Sequence, residues 1–292
     1  MEWGHRVQSQ DDGKRAADVL ALRAGLSKTM IKKIRLYGVL LLNGKPHRMI
    51  DPVCDGDWLV ARYEPNGSAP LTICEVPGIQ IRFEDDWVLV ANKPAGLVTH
   101  PTRSHQADAL TSLLSDKPLH PVNRLDRDTS GLVLIAKNSH AHYVISQKPQ
   151  TKRYLALLHG RLPAPVGLIQ APIRRCENSI IKREMHEQGA DARTLWRECR
   201  YYPSFDVSLV ELTLLTGRTH QLRVHCQACG CPIVGDQLYG HPVPDELDRQ
   251  IGRQALHAAR LDFCHPMDGQ NIRVTAPLPR DFRLLLRRIR SL

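Results

Sequence analysis

Aromatic side chains are scarce: Phe, Trp and Tyr make up 5% of the 292 residues. Sugar sites commonly stack rings on aromatic faces, so this composition weighs against a carbohydrate-active protein. No stretch approaches the roughly 18 consecutive apolar residues of a membrane helix. The opening segment, MEWGHRVQSQDD, is polar and acidic and lacks the apolar segment of a signal peptide, so a cytoplasmic protein is expected. There is no G-x-G-x-x-G, no P-loop and no H-E-x-x-H, because His186-Glu187 lacks a second histidine. The eight cysteines are scattered between Cys54 and Cys264 and do not form a disulfide framework. Cys226, Cys229 and Cys231 cluster beside His220 and His225. A closed zinc site needs a second ligand pair that the sequence does not offer, so no metal is expected.

Acid is missing from one region in particular. Between Lys14 and Arg48 the chain carries nine lysines and arginines against one acid, Asp18, within an overall net charge of +10. Such a concentration points to a polyanionic partner. The same region reads as a small module, residues 14–62. Ser27 is a plausible cap for a helix whose apolar side is Met30, Ile31 and Ile34 and which stops at Gly38. VLLLNGKP then reads as a strand and a tight Asn43-Gly44 turn, and DPVCDGDWLVARY as another turn and a closing strand. On the helix, Lys28, Lys32 and Arg35 recur at a spacing that sets them on one side, with Lys33 beside them, a row suited to backbone phosphates.

EPNGSAP, within a linker over 63–76, separates the module from residues 77–292. There, WVLVANKP, GLVLIAKN, YLALLHG and SLVELTLL are apolar, β-rich runs bounded by Gly, Pro or Asn. Helices are expected over 107–114 and 219–228, the second capped by Thr219. A last amphipathic helix carries Phe282, Leu285, Leu286 and Ile289 on one face. The whole reads as an α+β domain on a mixed sheet.

The stretch VNRLDRDTSGLVLIAKN places Arg124, Asp126, Arg127 and Asp128 within five residues, directly before an apolar strand. An aspartate flanked by arginines is held ionised. Such a carboxylate serves as a structural ion pair, a general base or a nucleophile, and sequence alone leaves these open. A glycosidase pair of Asp126 and Asp128 also stays open, because it requires two carboxyl groups about 5–10 Å apart.

NRLDRDTSGLVLIAKN resembles the signature of the RluA-type pseudouridine synthases. EDDWVLVANKPAGLVTHP, KRYLALLHG, LLTGRTHQLRVHCQACGCPIVGDQLYG and RQALHAARLDFCHP followed by APLP resemble further blocks of that family, in its order. GLSKTMIKKIRLYGVLLLNGKPHRMIDPVCDGDWL resembles the alpha-L RNA-binding domain. These resemblances imply a largely antiparallel catalytic domain behind a small α/β RNA-binding domain. They imply isomerisation of uridine to pseudouridine in structured RNA, without a cofactor. Asp126 matches the family's catalytic aspartate and Arg223 the arginine paired with it. Tyr154 matches the tyrosine that packs on the target uracil and is a candidate base for the C5 proton. Arg124 matches the arginine associated with extruding the base, a step required before chemistry on a stacked nucleotide. Large-subunit ribosomal RNA is the favoured substrate, tRNA is possible, and a monomer is expected. A non-catalytic RNA-binding or ribosome-assembly factor is the alternative. Two departures stand out: Asn123 replaces the family's usual histidine, and TRSHQADALTSLL is less glycine-rich than usual, which would alter an RNA-facing loop.

Overall fold

The computed structural model describes residues 2–63, 71–102, 105 and 107–291, so EPNGSAP lies outside the described residues. In chain order the elements are β1 (Glu2–Arg6), α1 (Ala16–Arg23), α2 (Lys28–Tyr37), β2 (Val39–Leu42), β3 (Lys45–Pro46), β4 (Trp58–Arg62), β5 (Gln80–Glu84), β6 (Val88–Lys93), α3 (Leu110–Leu114), β7 (His120–Pro121) and β8 (Ser130–Ala136). There follow α4 (Ser139–Ser146), β9 (Thr151–His159), β10 (Val166–Gln170), β11 (Ile173–Arg175), β12 (Arg183–Met185), β13 (Arg193–Tyr202), β14 (Val207–Leu214), α5 (Gln221–Ala228), α6 (Glu246–Ile251), β15 (Leu256–Cys264), β16 (Asn271–Thr275) and α7 (Arg280–Arg290). The chain divides into two compact units. The first is Met1–Thr72 with Asn138–Gln147, the second Ile73–Lys137 with Lys148–Leu292.

The first unit holds a four-stranded antiparallel sheet ordered β1-β4-β2-β3. The Ser27 side chain accepts from the Met30 amide and Gly38 ends α2, so both ends of that helix follow local chemistry. Asn43 and Gly44 take positive φ (52° and 78°), the conformation a two-residue hairpin requires. Val19, Leu20, Met30, Ile34, Leu40 and Leu59 fill the core. At its edge lies Asp11, fully buried, whose carboxylate accepts from Arg23 Nε (2.7 Å), Arg23 Nη2 (2.9 Å) and Lys14 Nζ (3.0 Å). The sheet also takes in β1, which lies ahead of residue 14 and pairs along its length with β4.

The second unit is built on one mixed sheet ordered β10-β13-β14-β9-β15-β8-β6-β5, with β16 paired to β15 and β7 to β8. Every pairing in it is antiparallel except β8 with β15. β8 is buried at all seven positions, as its unbroken apolar run requires. At the parallel seam His257 pairs with Ser130 and Ala258 with Gly131. A Cβ on Gly131 would lie 2.3 Å from the Ala258 carbonyl oxygen, and its φ is +115°, so only glycine allows the two strands to meet here. Phe282, Leu285, Leu286 and Ile289 of α7 are buried, as their spacing predicts. Helices α3 and α5 start later than the sequence suggests, at Leu110 and Gln221.

Candidate active site

The segment between β7 and β8 carries Arg124 and Asp126, and buried polar side chains hold it by its backbone. Thr99 Oγ1 donates to the Leu125 carbonyl (3.0 Å) and accepts from the Leu125 amide (3.1 Å). The wholly buried Lys93 ammonium donates to the carbonyls of Pro94, Leu97 and Arg127 at 2.7–2.9 Å. Arg253 Nη1 donates to the Asp128 carbonyl (3.1 Å) while its Nε and Nη2 clasp Asp281. Gln254 Nε2 donates to Thr129 Oγ1 (3.0 Å), and Ser130 Oγ hydrogen-bonds His257 Nδ1 (3.0 Å). Asn123, in place of the histidine, accepts from the Leu134 amide (2.7 Å) and donates to the Leu132 carbonyl (3.2 Å). The substituted residue thus closes the loop against β8. Backbone groups removed from water must find partners, and here nearly the whole turn is clamped by side chains.

At the turn's apex Asp126 meets Arg223 of α5. Arg223 Nη1 donates to Asp126 Oδ2 at 3.0 Å, while Nε and Nη2 donate to the two oxygens of buried Asp236, each at 2.7 Å. Asp236 also accepts from the amides of Leu238 and Tyr239 (3.0 Å each), so its orientation is fixed. Burial disfavours the Arg223 charge, but Asp236 and then Asp126 outweigh it and hold its pKa above the ordinary value. No hydrogen bond to Asp126 Oδ1 is found among the described residues, and the side chain is 27% exposed.

His220 stands near the same oxygen, with Nε2 3.8 Å from Asp126 Oδ2 and Nδ1 2.9 Å from Tyr239 Oη. Burial lowers the His220 pKa, which keeps the ring neutral at neutral pH, although Asp126 opposes the shift. Tyr154, on β9, is buried and lines the cleft with Arg124, Asp126, Thr129, Leu214, Arg218 and Arg223. Burial, and next the Asp126 charge, raise its pKa, so the phenol is protonated at rest. A wider cleft of about 440 Å³ continues past Arg124, Asp126 and Tyr154 to His100, Lys152 and Thr219.

The structure therefore brings Asp126, Tyr154, Arg223 and Arg124 to one cleft. Among the described residues Arg124 has no hydrogen-bonding or ion-pair partner. Asp128 pairs with its neighbour Arg127 (3.1 Å) and takes no place in the cleft lining. In the first unit the basic residues separate into two sets. Lys14 and Arg23 are taken up by Asp11, Arg15 by Asp18 and Arg48 by Asp51. The excess over 14–48 is thereby reduced by acids lying just outside that window. Lys28, Lys32 and Arg35 remain exposed, and Lys33 half-buried, without an ion pair among the described residues.

One expectation about α5 is corrected. Thr219 does not cap it: the cap position is His220, in the left-handed region (φ 57°) and with no side-chain cap bond. The turn before it is instead held by Gln221, which accepts from the Arg218 amide (3.0 Å) and Thr216 Oγ1 (2.9 Å). Just before α5, Arg218 donates from Nε to the Asp191 carbonyl (2.9 Å). Sequence reasoning missed Asp236, which sits in GDQLYG, at the far end of the block that carries Arg223. A carboxylate just past a buried arginine helix was the only signal. Cys226 is buried and its thiol pKa is raised by that burial. Among the described residues one His/Asp group has donor atoms close enough to share an ion: His159, Asp245 and Asp248. Those atoms are already engaged, His159 Nε2 with Asp248 (2.8 Å) and the two carboxylates in a reciprocal helix cap.

Residues 87–228 match the family model described as RNA pseudouridylate synthase. The chain is 35% identical over 277 residues to an uncharacterized RNA pseudouridine synthase, YjbO, of Bacillus subtilis, covering 90% of this chain and 95% of that one. This chain belongs to the RNA pseudouridine synthase family, of the RluA type. It is 33% identical over 301 residues to the ribosomal large subunit pseudouridine synthase D of Xanthomonas campestris, covering 96% of this chain and 90% of that one. Among solved structures, human RNA pseudouridylate synthase domain containing 4 superimposes with a TM-score of 0.57 at 26% identity, covering 72% of this synthase and 92% of the human chain. The enzyme is an isomerase acting on RNA. No described helix is long and apolar enough to cross a membrane.

Proposed function

We propose that this synthase converts uridine to pseudouridine in structured large-subunit ribosomal RNA, with Asp126 as the reacting carboxylate and no cofactor. The reaction breaks the N1–C1′ bond, turns the uracil, joins C5 to C1′ and exchanges the C5 proton for one on N1, so no electrons are gained or lost. The observation that carries the reading is the state of Asp126. One oxygen is tied to Arg223 and the other faces a cleft unpaired, as a nucleophile or base requires. Arg124, without a protein partner, fills the place of the extruded base. Tyr154 packs on the uracil; its phenol proton passes to N1, freed when N1–C1′ breaks, as its oxygen takes the proton from C5, so the phenol ends as it began. The relative named as a ribosomal large subunit synthase supports ribosomal RNA as the substrate, with tRNA the alternative. Residues 14–62 act as an alpha-L-type module that docks RNA through Lys28, Lys32, Lys33 and Arg35, ahead of a linker over 63–76 and a catalytic domain over 77–292, in a monomeric cytoplasmic enzyme.

The test is tritium release from 5-tritiated uridine in ribosomal RNA and tRNA transcripts, offered separately to wild type and Asp126→Ala. Release by the wild type alone, from ribosomal RNA, supports the whole reading. Release by both removes Asp126 from the chemistry, and release from tRNA alone corrects the substrate.

A further inference from the structure

Helix α7 carries Arg280, Arg283 and Arg287 at i, i+3 and i+7, all exposed and therefore on one strip of the helix. Among the described residues none has a hydrogen-bonding or ion-pair partner. Every other described arginine of the second unit except Arg124 meets a carboxylate, a carbonyl, a hydroxyl, an amide or a ring. On α7 itself, Arg288 pairs with Glu246 and Gln250 and Arg290 donates to Tyr202 Oη. The helix's acid, Asp281, is clasped by Arg253. Three neighbouring guanidiniums left without a partner repel one another, and their spacing suits successive phosphates. A basic amphipathic helix also suits a membrane surface, but here Phe282, Leu285, Leu286 and Ile289 are already buried in the protein and unavailable to lipid. Asp281, the residue after Arg280, holds Arg253, which in turn holds the carbonyl of Asp128 in the turn that carries Asp126.

We propose that the Arg280–Arg283–Arg287 strip is a second phosphate-binding surface, on the second unit itself, which grips the RNA backbone flanking the target. This rests on RNA being the substrate. The experiment compares the full chain with two triple variants, Arg→Gln and Arg→Lys at the three positions. Binding of a ribosomal RNA transcript is followed by fluorescence anisotropy across salt, and tritium release in parallel. For Arg→Gln the slope of log affinity against log salt should fall by about 2, given roughly 0.7–0.9 per lost phosphate contact, with kcat/KM down at least tenfold. Arg→Lys should keep most of the slope. An Arg→Gln slope equal to wild type overturns the proposal. Because binding is read separately, a wild type that binds but releases no tritium counts against the proposed reaction and leaves the strip's result standing.

A second inference rests on His220. Its left-handed backbone is costly for a residue with a Cβ, and such strain persists where the surroundings impose it. Tyr239 Oη accepts from the Arg183 amide (2.8 Å), so its own hydrogen is free to point at His220 Nδ1. That places the ring proton on Nε2, facing Asp126 Oδ2. The charged groups around the ring are Asp126, Arg223, Arg183 and Asp236. The geometry points to His220 as a positioning residue: its N–H, oriented by Tyr239, closes on Oδ2 in the RNA complex and leaves Oδ1 as the only reacting oxygen. His220→Gly keeps the backbone conformation and removes the ring. It should lower kcat about 10- to 100-fold with KM little changed, and added imidazole should restore part of it. Tyr239→Phe should act in the same direction without multiplying the effect of His220→Gly. A kcat within twofold of wild type, or fully multiplicative losses, would overturn the assignment.

Discussion

Asp11 and Asp126 are both aspartates that meet arginine in the fold, Arg23 in one case and Arg223 in the other. The structure treats them differently. Asp11 is fully buried and both its oxygens accept from Arg23, with Lys14 added to one. Asp126 offers Oδ2 to Arg223 and leaves Oδ1 in a cleft. Nearby positive charge therefore does not mark a reacting carboxylate. What sets Asp126 apart is an oxygen without a hydrogen bond among the described residues, on a carboxylate whose other oxygen is fixed. Arg223 shows the same asymmetry from the other side: two of its nitrogens are spent on Asp236, and that bond aims the third.

The sharpest test of the contrast is Asp126→Ala, which should abolish tritium release while thermal unfolding shifts little. Asp236→Asn should follow in size. With Arg223 buried and deprived of its bidentate partner, a loss of about 3–5 kcal/mol of stability is expected, with at least a hundredfold drop in kcat. Denaturant unfolding and single-turnover release would read the two effects. Lys93→Met tests the clamp under the loop. Burial pulls the Lys93 pKa from 10.5 to about 7. Between those values the unfolded chain binds the extra proton, so wild-type stability should rise with pH at up to about 1.4 kcal/mol per unit. That slope should vanish in the variant. Asp11→Asn should loosen the first unit and leave release from a short stem-loop unchanged. Arg23 holds the Asp11 pKa at about 2, below its ordinary 3.8, so the ion pair's stabilisation is present above 3.8 and is lost as pH falls through about 2. The smallest effect is expected for Lys28→Gln with Lys32→Gln, a shallower salt dependence of binding with kcat unchanged.

What could be read from the sequence were features set by neighbours along the chain. Ser27 caps its own helix, Asn43-Gly44 turns its own hairpin, and the apolar face of α7 repeats at the helical period. The signature around Asp126 was legible in the same way, because one short turn carries it. Partners from remote strands were not legible. Nothing in Glu2–Arg6 marks a strand, since it is ordered by pairing with β4. Asp11 claims Arg23, and Asp236 claims Arg223, across loops that no local pattern describes. The left-handed His220 is imposed by its surroundings, where a sequence reading assigned the cap to Thr219.

The parallel seam between β8 and β15 has one more consequence. Asp126 leads into β8 on one side of it, and Arg223 follows β14 on the other, 97 residues later in the chain. A chain still emerging from the ribosome can present the aspartate long before its arginine exists. On the proposed role of Asp126, competence thus arrives as a late event of synthesis, gated by closure of a long loop. A half-made synthase would hold its substrate, if at all, without being able to change it.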